Sequence, residues 1–295
     1  MATVYIGIIL LARVVQAIFN KRSSNEIKRI SHFIKYIAFS NSISASLGLL
    51  LILVAGSGFK IDFLTFVIGT FSGISLFFSS FCSVYGMKTG TVSVNSMFGT
   101  AGMLVPLISG IVLFNQPINL MQWIGVLIFF VSAYLLIQAS KEVNNKFNIK
   151  TFFLLIGSLV SNGATMLAQQ FFAHFVPNGD VSVFSFISFG VLAVATGVLG
   201  LFNSKSDEEK SEKLSKDLII CAVALATAVF VINQFATISA SLVSPVILFT
   251  FINGGGTIIS TIVAAIMYKE KLSVRTVVGV IMGILSLVII KIFEI

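Results

Sequence analysis

The chain has 295 residues, of which 57% are apolar and only 10% charged, against roughly one quarter charged in a soluble domain. Nineteen basic and eleven acidic residues give a net charge of +8, but the basic residues gather in short connectors between apolar stretches, which argues for a membrane protein and against a nucleic-acid partner. Two cysteines without paired spacing, Cys82 and Cys221, both inside apolar stretches, exclude a disulfide framework or a metal site and read as packing thiols.

Ten apolar stretches fill almost the whole chain, at 3–20, 33–55, 62–85, 91–114, 119–138, 151–174, 181–202, 218–239, 243–267 and 273–292. About 20 apolar residues at 1.5 Å rise match the roughly 30 Å hydrocarbon layer. Backbone in lipid must satisfy its own hydrogen bonds, so each stretch is predicted to be a spanning helix. The expected fold is an all-α integral membrane protein of ten transmembrane helices, placed in the cell membrane as a multi-pass chain.

Span one follows Met1 without a basic leader region and is read as retained rather than cleaved. It carries Arg13, roughly 10 Å from the end of the span at helical rise. A basic residue near a helix centre costs about 2.5–3.5 kcal/mol on insertion scales, so it should face a cavity or a partner. Two readings stand: an anchor for an anionic group, or a structural arginine that snorkels or bonds to carbonyls. Gln16 and Asn20 lie four apart on one face of the same helix. Between spans one and two, Ile27, Ile30, Phe33 and Ile34 recur at helical spacing among basic residues, which predicts a short interfacial helix. Span two adds Asn41, Ser42, Ser44 and Ser46 as candidate cavity residues.

Span four holds Asn95, Ser96 and Thr100 beside Gly99 and Gly102, and Pro106 predicts a kink. Trp123 sits near an interface. Span six offers Asn162, Thr165, Gln169 and Gln170, with Thr165 and Gln169 sharing a face. The mixed charge run within Asn203–Asp217 reads as a solvated loop. Span eight offers Asn233 and Gln234. In span nine Asn253 and Thr257 flank Gly254, Gly255 and Gly256; each glycine weakens a helix by about 1 kcal/mol relative to alanine. Backbone approach to a substrate, a gating hinge or close helix packing would each explain these glycines. Gly279-x-x-x-Gly283 in span ten is a weak helix-packing motif and a candidate homodimer contact. Amides in hydrocarbon need hydrogen-bond partners and should point inward; a cavity lined by them suits a neutral or zwitterionic metabolite, while helix-to-helix bonding is the plainer alternative.

No Asp or Glu is expected to be buried in any span, since Asp62 and Glu270 lie at span ends and the rest in connectors, which lowers the odds of a proton-coupled exporter of cations. His32 and His174 are far apart near span ends, and nothing resembles a catalytic set, a metal cluster or a phosphate loop. The chain is therefore read as a non-enzyme without a cofactor.

Lys and Arg number 16 in the connectors after odd-numbered spans and two on the other side, which places both termini outside. An internal repeat is also visible. At an offset of 154, Gly90–Ile137 aligns with Ser244–Lys291 and pairs Val92 with Val246, Gly102 with Gly256, Ile108 with Ile262, Gly125 with Gly279, Val126 with Val280 and Ser132 with Ser286. A weaker echo at 149 sets Arg13–Lys21 against Asn162–Gln170. Five spans are an odd number, so the second copy, 141–295, enters the membrane opposite to the first, 1–140. Such inverted repeats characterise secondary transporters with a site between the halves.

The ends of the halves carry a family likeness. Met267-Tyr-Lys-Glu-Lys-Leu-Ser-Val-Arg-Thr-Val-Val-Gly-Val-Ile-Met-Gly283 has a Glu in a tight turn before a Gly-led last helix. Phe114-Asn-Gln-Pro-Ile-Asn-Leu-Met-Gln-Trp-Ile-Gly125 has the same layout, with Gln116 in place of the Glu. Together with the bend Tyr85-Gly-Met-Lys-Thr-Gly-Thr-Val-Ser-Val94, these segments resemble the drug/metabolite transporter superfamily, EamA type. The resemblance implies five plus five helices and secondary transport of amino acids, other metabolites or drugs. The expected function is alternating-access transport of a small polar metabolite, an amino acid or related compound being favoured. A multidrug exporter, a lipid flippase and a non-transporting scaffold are the rivals.

Overall fold

The computed structural model describes residues 2–27, 29–55, 61–89, 92–106, 108–109, 119–143, 148–203, 214–240, 242, 252–253, 255–256, 259, 261–263, 265–269 and 273–292. Among these the regular structure is helical, without strands. The ranges are α1 (Ala2–Glu26), α2 (Ile30–Ala55), α3 (Phe63–Thr89), α4 (Val92–Thr100) followed by a 3-10 turn (Ala101–Met103), α5 (Leu120–Val143), α6 (Ile149–Phe175), α7 (Val181–Asn203), α8 (Lys216–Ala240) and α9 (Val274–Ile292). Between α8 and α9, the described residues of 252–267 are helical. Six helices (Val4–Glu26, Ile30–Ala55, Phe63–Met87, Ile149–Phe175, Val181–Gly200 and Lys216–Ala240) are long and apolar enough to cross a bilayer, the make-up of a multi-pass membrane protein.

Helix starts are set by short polar side chains that accept from otherwise unpaired backbone N–H groups. Asn148 accepts from Thr151 N at 3.0 Å ahead of α6, and Asp180 from Ser182 N at 2.7 Å ahead of α7. Ser215 and Ser273 do the same for α8 and α9, each at 3.2 Å. Within the helices, hydroxyls satisfy themselves on the preceding turn, as Ser75 does on Phe71 O at 2.8 Å and Thr237 on Asn233 O at 2.8 Å.

The packed pairs are α1 with α8, α3 with α6, α2 with α7 and α5 with α9, joined by α3 with α7 and α2 with α8. Large outward side chains such as Leu53, Phe63, Phe130, Phe153 and Val274 stay exposed, as lipid-facing residues do. A central core joins Ile9 of α1, Met97 of α4, Phe129 of α5, Leu155 of α6, Ile232 of α8 and Val280 of α9. A second core closes the end of the bundle where α1 stops, with Ile27, Phe33, Tyr36, Val84, Leu218 and Cys221.

That second core corrects one expectation. No separate interfacial helix occupies 21–35: α1 runs on to Glu26 and α2 opens at Ile30. Ile27 and Phe33 are fully buried, and only Ile30 of the apolar set is exposed, so the helical spacing reflects burial inside the bundle. The α9 glycines also face inward. Gly279 O accepts from Ser132 Oγ of α5 at 2.6 Å, and a Cβ on Gly283 would meet Met97 and Ser132. The motif therefore serves packing of α9 on α5 and α4 within the chain.

The break in span four has a local cause. Pro106 has no N–H for the carbonyl four residues earlier, and its ring crowds that carbonyl. The residue four earlier is Gly102, in the middle of the 3-10 turn. There α4 and α6 cross closely: a Cβ on Gly102 would lie 2.7 Å from Gly163 N and 2.9 Å from Leu159 O. Gly102 is thus required for close approach of backbones.

Candidate functional site

Polar side chains from α1, α3, α4, α6, α8 and the 252–267 segment surround one hollow with two lobes. Arg13, Gln16, Ser79, Ser80 and Asn162 belong to both. The first lobe adds Asn20, Asn95, Thr100 and Asn253, with Gly99 and Gly256, and encloses about 760 Å³ counting the part open to the outside. The second adds Thr165, Gln169 and Asn233 and encloses about 580 Å³ on the same measure.

Arg13 stands where the lobes meet. Its Nη1 donates to Gln16 Oε1 at 2.8 Å, three residues along α1, and its Nη2 to Asn253 Oδ1 at 3.1 Å. Asn253 is in turn held by the Thr100 hydroxyl, which donates to its backbone carbonyl at 3.1 Å, and its Nδ2 lies 3.6 Å from Met166 Sδ. The guanidinium is therefore oriented by two neutral amide oxygens, and among the described residues no carboxylate lines either lobe. Arg13 Nε is buried with no hydrogen-bond partner among the described residues. Gly256 lies alongside, where a Cβ would be 3.6 Å from that Nε. A buried cation without a counter-charge is unfavourable and attracts an anion.

At the far edge of the second lobe, Gln169 Nε2 donates to Asn233 Oδ1 at 2.8 Å, tying α6 to α8. At the opposite end of the hollow, α1 is fastened to three elements. Lys21 Nζ donates to Met87 O at 3.3 Å, Arg22 pairs with Asp217 at 2.7 Å, and the Tyr268 hydroxyl donates to Ile18 O at 2.6 Å. Burial raises the Tyr268 pKa, so that proton stays in place through the neutral range.

Arg13, Gln16, Asn20, Asn95, Thr100, Asn162, Thr165, Gln169, Asn233 and Asn253 all line the hollow. Of the glycines, Gly99 and Gly256 line it, Gly102 makes the crossing with α6, and Gly255 packs against Leu10. Gly254 and Thr257, with the side chain of Ser96, lie outside the described residues. Span two does not contribute. Ser44 donates to Ala226 O at 3.1 Å between helices, Asn41 to Ile37 O at 2.7 Å within α2, and Ser42 and Ser46 face outward. Gln234 joins α8 to α7 by accepting from Ser185 Oγ at 2.7 Å.

The α3 serines escaped the sequence reading. Ser79, Ser80 and Ser83 line the first lobe. A signal existed, because Ser72, Ser75, Ser79 and Ser83 follow at steps of three and four residues, a stripe along one helix face.

No protein-family model and no curated protein matches the chain. Among solved structures 28 chains match. One of them, described only as "Crystal structure of protein", is similar over 99% of this chain and 97% of its own, with a TM-score of 0.69 at 12% identity. At that identity the likeness speaks for the fold over the full length and leaves the chemistry to the residues themselves.

Proposed function

We propose that this chain is a secondary carrier in the cell membrane. It moves a small polar metabolite bearing a carboxylate, an amino acid or related compound, by alternating access between inverted halves 1–140 and 141–295. The observation that carries the reading is Arg13: a guanidinium held by two neutral amides, in a hollow between helices of both halves, with no carboxylate among the described residues of the lining. An anionic group on the substrate completes that site; a purely cationic compound is repelled by it.

Two observations favour the ten-helix inverted repeat. Exchanging α1 with α6, α2 with α7, α3 with α8 and α5 with α9 turns the pair α1–α8 into α6–α3 and the pair α3–α7 into α8–α2, while α2–α7 and α5–α9 map onto themselves. In addition, the repeat-matched Gly125, Ser132, Gly279 and Ser286 are all buried on α5 and α9, the helices that pack on each other. An interface built from the same patch on both sides is what two-fold symmetry requires. The EamA-type resemblance belongs to the same proposal.

The test is uptake into proteoliposomes holding the purified chain, with radiolabelled amino acids, nucleosides and cationic dyes. Uptake of a carboxylate-bearing solute supports the reading. Uptake of dyes alone supports a multidrug exporter, movement of labelled lipid alone a flippase, and no movement of any of these a scaffold.

A further inference from the structure

The hollow presents acceptor oxygens that Arg13 does not use, and they gather on α6 and α4. Asn162 occupies the position equivalent to Arg13 at the offset of 149. Its Nδ2 donates to Ser158 O at 3.2 Å, one turn earlier. With Nδ2 committed to that bond, the carbonyl Oδ1 is the acceptor that Asn162, a residue of both lobes, has to offer a ligand. Ser158 and Asn95 are 1% and 3% exposed, and Ser158 Oγ and Asn95 Oδ1 have no hydrogen-bond partner among the described residues. Both residues line the lobe in which Arg13 Nε is the unpaired donor.

Asn162 and Ser158 sit together beneath α4. A Cβ on Gly99 would lie 3.3 Å from Asn162 Nδ2 and 3.7 Å from Ser158 Oγ, while the next residue, Thr100, holds the Asn253 that holds Arg13. One cavity thus holds a cationic donor, Arg13, from the first half of the chain and neutral acceptors from both, with Asn162 and Ser158 supplied by the second half and Asn95 by the first. An unpaired buried polar atom is unfavourable until something bonds to it, so the lining is complementary to a molecule carrying an acceptor at one end and a donor at the other.

Resting on the carrier reading above, we propose that the ligand is a zwitterion whose carboxylate meets Arg13 and whose ammonium donates to Asn162 Oδ1 and Ser158 Oγ. Asn162 is then the residue that selects amino acids over simple carboxylates. Neutral dipoles hold the ammonium, and the nearby guanidinium repels any amine that lacks the carboxylate. Loss of a hydrogen bond to a charged group weakens binding by at least about tenfold.

The experiment titrates the purified full chain by thermal shift with the twenty amino acids. Each is compared with its deaminated acid and its decarboxylated amine, for example L-leucine with 4-methylpentanoate and 3-methylbutylamine. The expected result is an amino acid that acts at a concentration at least tenfold lower than either analogue. Asn162→Leu should bring the ratio of deaminated acid to amino acid below threefold, and Ser158→Ala should lower it. Deaminated acids that act within tenfold of their amino acids overturn the zwitterion and leave the carboxylate reading standing. A folded Asn162→Leu protein that keeps the wild-type ratio overturns the assignment to Asn162. Amines that act as well as amino acids, or no effect from any compound, overturn the carboxylate reading and this inference with it. If Asn162→Leu does not fold, the wild-type ratio and Ser158→Ala decide.

Discussion

Replacing Gly163 by alanine places one methyl group at a close helix crossing beside the hollow. The new Cβ would overlap the Gly102 carbonyl and the Val105 side chain, and from the other side a Cβ on Gly102 would come within 2.7 Å of Gly163 N. Backbone atoms on both sides cannot turn away as a flexible side chain does, so the helices must part by roughly 1 Å to reach the 3.4–4 Å of ordinary contact. Forced overpacking of this kind costs about 1–3 kcal/mol. At about 2–4 °C per kcal/mol the midpoint of unfolding should fall by roughly 2–12 °C. Cys82 and Cys221 are free and buried, so a thiol-reactive fluorescent maleimide follows unfolding of the purified protein without added labels. Gly7, Gly190 and Gly197 have nothing within 4 Å of the position a Cβ would take and serve as controls. Alanine at those sites should be neutral or stabilise by up to about 1 kcal/mol. A Gly163→Ala protein melting at or above wild type, or controls falling by as much, would refute the close crossing.

Gln169→Leu removes the donor to Asn233 Oδ1 and leaves that oxygen unpaired between α6 and α8; the same melt should fall by the equivalent of about 1–2 kcal/mol. Asp217→Asn breaks the pair with Arg22, whose side chains are 47% and 54% exposed, so the loss should stay under about 1 kcal/mol and shrink further in high salt. Lys269 has φ of 51°, a left-handed conformation that a side chain disfavours; Lys269→Gly should raise stability by about 0.5–1 kcal/mol, read as a higher melting midpoint.

Six of the expected spans, those in α1, α2, α3, α6, α7 and α8, were legible because hydrocarbon imposes its length on every segment that crosses it. Their ends were less so. Lys21 and Arg22 look like a connector, yet α1 continues through them because Lys21 bonds to Met87 O and Arg22 to Asp217 at the bundle's end. The inward direction of Arg13, Asn162 and Asn253 followed from the expense of polar groups in lipid. That argument cannot separate a cavity residue from one that only ties helices, as Asn41 and Gln234 illustrate. Serine is harder still, since its hydroxyl can be satisfied on its own helix, and Ser79, Ser80 and Ser83 were passed over for that reason. Glycine was the most ambiguous letter. Gly99 lines the hollow whereas Gly102, three residues on, carries the crossing with α6, and the two are told apart only by which neighbour stands opposite.

The dependence of solute binding on the charge at position 13 bears most directly on the carrier reading. For whichever carboxylate-bearing solute gives the largest proteoliposome uptake, Arg13→Gln should lower affinity by about a hundredfold or more, and Arg13→Lys, which keeps the charge but loses the planar fork, should fall between. Affinity unchanged in a folded Arg13→Gln protein would mean that the substrate does not meet the guanidinium at all.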